Sequence, residues 1–237
     1  MPIEAPEPKR YAALDTWRFF AALGVVAYHY ENHLSALAPH PSAKFEAFGH
    51  FVDFFFVLSG FVLMHTYGGS VNSLSAFGDF MRKRLARVYP LHALKTAIFA
   101  AVAIYVAVKG ISLRDPATMS PSLIAPHVLL LHAWGPFTQP GLNFPSWSIS
   151  AELFVYLLFP LFALIVLRMK PLGALVLALI FAAAMEHLRF NAGLRTFAEA
   201  TWDYGMLRAV PTFLAGMAVQ KIVTTLPRIR IPWIVPH

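Results

Sequence analysis

Apolar stretches of ~15–21 residues recur along this chain, and that is the length an α-helix needs to cross the hydrocarbon of a bilayer. They run Leu14–Tyr30, His50–Tyr67, about Tyr89–Val108, about Trp147–Leu167, Pro171–Met185 and about Tyr204–Val223. Inside lipid every backbone N–H and C=O must be bonded within the protein, which leaves helices and closed barrels. Barrel strands would alternate polar and apolar residues over ~10 positions, and these stretches do not. Only 13% of the residues are charged and 58% are hydrophobic, where a soluble protein carries about a quarter charged. The fold class is therefore all-α, a polytopic transmembrane helical bundle of six or seven membrane helices. The seventh candidate is Leu123–Gly135, which Pro121, Pro126 and Pro136 bracket and interrupt. It is short for a span, and a re-entrant or interfacial segment fits it equally well.

Three regions follow: a cytoplasmic tail at 1–13, a membrane domain at 14–223 and a C-terminal tail at 224–237. Lys9 and Arg10 precede the first apolar stretch, but Arg18 interrupts it and no small-residue cleavage site follows, so the stretch is expected to stay as an anchor. The net charge of +7 comes from basic residues at segment ends rather than on one face, which fits membrane orientation and not nucleic-acid binding. If Leu123–Gly135 does not cross, eleven basic residues share the side of the N-terminal tail and five lie opposite; if it crosses, they split evenly. The positive-inside bias favours the first arrangement, with the N-terminus cytoplasmic. There is no cysteine, which removes disulfides, thiolate metal sites and thiol nucleophiles.

The polar residues inside the apolar stretches carry the functional signal, because a charge at membrane depth costs ~3 kcal/mol on insertion scales. LDTWRFFAALGVVAYHY holds Asp15, Arg18 and His29. Eleven positions at ~100° and ~1.5 Å per residue put Arg18 and His29 on nearly one face, ~16 Å apart. The plainer reading of the same residues is an interfacial Asp15–Arg18 pair and a His29 at the headgroups. Asp53 and Glu152 join His29 near the outer ends of their segments in the favoured topology. These are the residue types of general-base chemistry: a neutral imidazole takes a hydroxyl proton, and a carboxylate orients it and stabilises the cation formed. Arg84 and Arg87 belong to a basic stretch, Gly68–Val88, read as a loop leading into a helix with Pro90 in its first turn. Guanidinium forks suit phosphate, though positive-inside anchoring accounts for such clusters too. Lys95 reads as snorkelling to the interface. His65, His92, His127 and His132 show no metal-ligand spacing and read as satisfied or interfacial side chains.

Five segments in order resemble acyltransferase family 3, the polytopic membrane O-acyltransferases of cell-surface glycans and related acceptors. LDTWRFFAALGVVAYH, with Arg18 and His29, resembles the opening helix. VDFFFVLSGFVL resembles the second-helix signature, and RKRLARVYPL, with Arg84 and Arg87, the basic motif before the third helix. WSISAELFVYLLFPLF resembles the WS-x-S-x-E segment, with Glu152 as its acid, and RAVPTFLAGM a later helix. The resemblance covers about Leu14 to Val219. It implies a cytoplasmic acyl-CoA donor, acetyl-CoA in the simplest case, with no metal. It also implies a glycan or lipid-linked saccharide acceptor and a place in the inner (plasma) membrane of a bacterium. Arg84 and Arg87 would hold the donor phosphates, Arg18 would line the interior route, and His29 would act at the outer side with Glu152 or Asp53. The chain offers fewer spans than the family commonly has and is expected to be C-terminally short. Two other classes compete: a transporter or channel subunit relaying protons through Arg18, His29 and Glu152, and an inactive acyltransferase fragment. A transporter should show repeat symmetry or paired broken helices, and neither is present in the sequence.

Overall fold

The computed structural model describes residues 12–34, 47–113, 115–135 and 141–225. The expected tails at 1–13 and 224–237 lie outside these residues, except that Ala12 and Ala13 open the first helix and Thr224 and Thr225 close the last. Seven α-helices occur among the described residues: α1 (Ala12–Leu34), α2 (Phe51–Tyr67), α3 (Leu74–Lys109), α4 (Ile124–Val128), α5 (Trp147–Arg168), α6 (Pro171–Asn191) and α7 (Gly205–Thr225). Short 3-10 turns precede α2, α4 and α5, and no strand is found among these residues. Five helices, α2, α3, α5, α6 and α7, are long and apolar enough to cross a membrane. The expected count was six or seven. With its 23 residues α1 has the length, but Asp15, Arg18 and Glu31 keep it out of that apolar class.

The chain divides into two compact units, Met1–Phe55 and Phe56–His237. In the first, α1 meets the start of α2 at Gly24, where a Cβ would fall on the Phe51 ring, and Phe48 stacks on Phe51 at 5.4 Å.

The second unit is built on α7, where Ala209, Phe213, Leu214, Met217 and Ala218 have no solvent exposure. Phe80 of α3 stacks on Phe159 of α5 at 5.1 Å, and Phe159 meets Phe213 of α7 edge-on at 6.3 Å. This aromatic row ties three helices together. Between α2 and α7 the backbones themselves touch. A Cβ on Gly60 would fall on the Phe213 carbonyl oxygen, and one on Gly216 would fall on that of Val57. Small residues that let backbones approach are how membrane helices associate where the solvent is as apolar as leucine. Lys221 of α7 closes the C-terminus of α5, donating to the carbonyls of Val166 at 2.5 Å and Leu167 at 2.8 Å, where a cation also meets the negative end of the helix dipole.

Two local expectations change. The basic stretch is not a loop: α3 starts at Leu74, fifteen residues before the expected Tyr89, and runs unbroken through Pro90 for 36 residues. Ser73 caps its start, its hydroxyl accepting from Ala76 N–H, and Gly110 at φ 62° closes its end. Pro90 removes one hydrogen bond, while the buried Phe80 holds the turns before it against α5. Leu123–Gly135 is no helical span, since α4 has five residues. After α4 the chain turns at Leu130, a leucine at φ 56°, whose carbonyl accepts from Ser150 Oγ at 2.7 Å. Ser150 Oγ in turn accepts from Ala133 N–H at 3.1 Å, and its carbonyl accepts from Trp134 Nε1 at 3.0 Å. The short segment is thereby pinned to the head of α5.

Candidate active site

Glu152 lies in the second turn of α5, and two hydroxyls converge on it. Ser59 of α2 donates to Oε1 at 3.1 Å, and Tyr156, one turn along α5, donates to the same oxygen. Hydrogen bonds to an ionised acceptor are the strong ones, and two from different helices fix the carboxylate in place. Oε2 is left to accept from another donor. Around this group the motif residues have distinct jobs. The Trp147 ring packs edge-on against Phe56 at 6.1 Å and carries the Arg208 guanidinium over its face at 5.2 Å. Arg208 is buried and donates to the Ala200 carbonyl at 3.2 Å. The α5 tryptophan and the α7 arginine thus support each other, and Ser150 anchors the loop described above.

Arg84 faces the interior of the second unit. Its Nη2 donates to Tyr67 Oη at a long 3.4 Å, its guanidinium lies 5.3 Å from the Tyr67 ring centre, and its buried Nε has no partner. Tyr67 and Tyr156 both meet Phe80 edge-on, at 5.3 and 6.0 Å. Because α3 and α5 run antiparallel through these contacts, one turn beyond Phe80 on α3 is level with one turn before Tyr156 on α5. Arg84 and Glu152 therefore share a level. This corrects the separation of the arginines and Glu152 into opposite layers. The early start of α3 carries Arg84 and Arg87 out of a loop and into the body of a helix beside α5. Arg87 is exposed and lines a cleft of about 260 Å³ between α3 and the head of α5.

In the first unit, Arg18 Nη1 donates to Asp15 Oδ1 at 2.9 Å across one turn of α1, the local pair that the plainer reading anticipated. His29 is half-buried on the same helix, its ring edge-on to Tyr28 at 5.2 Å. Asp53 sits in the first turn of α2, 3.7 Å from His50 Nδ1, where a carboxylate favours the helix dipole.

Three histidines read as unremarkable come together in the second unit. His127 and His132 stack at 4.0 Å, and His92 lies parallel to His132 at 5.7 Å. His92 Nε2 bonds the His127 carbonyl, His127 Nδ1 the Leu123 carbonyl and His132 Nε2 the Ser146 hydroxyl. The other ring nitrogen of each is buried without a partner. His127 and His132 lie outside the candidate spans. Burial holds both below the ordinary imidazole pKa, that of His132 at about 3 with the His127 ring adding to the effect. No group of three or more His, Cys, Asp or Glu among the described residues is arranged to hold a metal ion. Of the residues that sequence reasoning missed, Tyr156 had a signal, its four-residue spacing from Glu152 on an obvious helix. Ser59 and the histidine stack had none, because three-dimensional packing brings them in from distant elements.

An acyltransferase domain model, that of acyltransferase family 3, matches residues 11–235. The chain belongs to this family. A Rhizobium radiobacter protein described as protein 2 in the picA locus is 36% identical over 160 residues, which is 62% of this chain and 80% of that one. Acyltransferase MdmB of Streptomyces mycarofaciens is 34% identical over 168 residues, 66% of this chain and 40% of MdmB. No solved structure matches. For a family 3 acyltransferase with five long apolar helices, an integral membrane protein follows, and the site must handle an acyl donor and a nucleophilic acceptor.

Proposed function

We propose that this chain moves an acyl group, acetyl in the simplest case, from an acyl-CoA donor to a hydroxyl of a cell-surface glycan or a similar lipid-linked saccharide. The observation that carries the reading is the placement, at one level of the second unit, of a carboxylate held by Ser59 and Tyr156 and of the Arg84 guanidinium, whose buried Nε has no partner. A guanidinium with a buried N–H lacking an acceptor is suited to a phosphate or to developing negative charge. Arg84 and Arg87 take the donor phosphates, and Arg18 lines the route on α1. His29 removes the acceptor proton as the hydroxyl attacks the thioester carbonyl, the thiolate leaves, and the proton passes to the thiolate to give free thiol. Glu152 serves as the carboxylate of the reaction, and Asp53 serves its own helix end. The N-terminus is on the cytoplasmic side of a bacterial inner membrane in this proposal, following the bias of basic residues.

The test is thioester consumption by purified protein in nanodiscs, with acetyl-CoA and with or without glycan acceptors bearing free hydroxyls. Acceptor-dependent release of free thiol supports the reading. Thioester consumption at the protein-free rate with every acceptor, by protein shown to be folded, contradicts it.

A further inference from the structure

Arg87, Leu91 and Lys95 fall at four-residue steps on α3, so they share a face, with the two cations ~12 Å apart. That face forms one wall of the cleft of about 260 Å³; the opposite wall is Asn143 to Ile149, the head of α5. The lining contains two cations and no carboxylate. Neither Asn143, at the head of the 3-10 turn, nor Ser146, at the head of α5, caps its helix with its side chain. The positive end of the helix dipole at this wall is therefore not offset by a side-chain acceptor there. His92 and Ser146 line the cleft and are each only 2% exposed, and His92 Nδ1 has no partner. Ser148, also in the lining, is four positions before Glu152 on α5, so the cleft adjoins the carboxylate described above.

We infer that this cleft is a phosphate-binding site, in which Lys95 and Arg87 clamp the anion from α3 and Asn143 donates to it from the head of α5. Lys95 thereby changes from an interfacial lysine to a ligand-binding one. The proposal extends the donor reading of Arg87, but the phosphate could come from a coenzyme A donor or from an anionic lipid headgroup. The chemistry is shared, and the experiment separates the sources.

Protein in phosphatidylcholine nanodiscs is titrated calorimetrically with inorganic pyrophosphate, which carries the anion without any acyl chemistry. Wild type binds, Lys95→Ala weakens binding ~10–100-fold, the range for losing a charge-assisted contact, and Lys95→Arg restores most of it. Lys95 is exposed, so its variants keep the wild-type melting temperature. Competition by coenzyme A identifies the donor as the source. Retention of phosphatidylglycerol in native mass spectra, lost in Lys95→Ala, identifies a lipid headgroup. Coenzyme A that binds without displacing pyrophosphate leaves the anion site standing and removes the donor role of Arg87. Pyrophosphate affinity equal in Lys95→Ala and wild type, or no pyrophosphate binding at all, overturns the inference. In that case coenzyme A binding that still depends on Arg84 would leave the donor reading intact.

Discussion

Glu152 shows what one residue's surroundings add to its chemistry. Its carboxylate is held by hydroxyls from two helices, so removing a donor should loosen it without removing it. Glu152→Gln is expected to lower kcat at least ~100-fold, the lower end of the general-base range. Ser59→Ala and Tyr156→Phe are expected to lower it several-fold each, with little change in the donor KM. A Tyr156→Phe variant with wild-type kcat would show that the tyrosine only packs. The arginines divide similarly. Arg84→Ala and Arg87→Ala should raise the apparent donor constant ~10–100-fold, and Arg87→Lys should recover only part, because an ammonium lacks the planar fork. The histidine stack makes a separate claim about pH. His132 is held neutral in the fold, at about 3, while an unfolded imidazole titrates near ~6.5. Its contribution to stability is therefore complete above about pH 6.5 and is lost as pH falls toward 3, at about 1.4 kcal/mol per pH unit. The melting temperature in detergent should drop across that window, and His132→Gln should flatten the drop. An unchanged acid limb in the variant would show that other groups set it.

At the scale of elements, long apolar runs were legible and their polar edges were not. The helices at His50–Tyr67, Trp147–Leu167 and Tyr204–Val223 were placed within two residues of their ends, because ~20 apolar residues leave lipid-exposed backbone few alternatives. The start of α3 was missed because Arg82, Lys83, Arg84 and Arg87 looked like a loop and Pro90 like a first turn. What decides the matter is Phe80, buried against Phe159, and a Ser73 cap that composition does not reveal. α6 also runs on past Met185 to Asn191, where Arg189 turns inward. It donates to the Arg195 and Asp203 carbonyls and pairs with the Asp203 carboxylate at 2.8 Å. Gly60 meets the Phe213 backbone of a distant helix, a contact that the sequence does not reveal. Since no side chain fits between Gly60 and the Phe213 carbonyl, Gly60→Leu should separate α2 from α7 and destabilise by ~1–3 kcal/mol or more. A thermal melt matching wild type would mean that the two backbones do not touch.

Among the described residues, large apolar side chains face outward as well as inward. Leucines and isoleucines such as Ile98, Leu161, Leu179 and Ile180 are exposed, while Arg189, Arg208 and Gln220 are buried. That is the distribution expected when lipid surrounds the protein and polar groups seek partners inside. In the proposed orientation, drawn from the bias of basic residues, a cysteine placed at Gly141 should react with an impermeant maleimide from outside the cell, in a chain with no other cysteine. Labelling from the cytoplasmic side instead would reverse the topology. Acyl transfer with His29 as the base is tested by following labelled acetyl from acetyl-CoA to a hydroxyl acceptor, comparing wild type with His29→Ala at matched membrane abundance. Acceptor-dependent transfer by wild type and background transfer in His29→Ala are expected. Transfer within a few-fold of wild type in His29→Ala would contradict the role of His29 as the base.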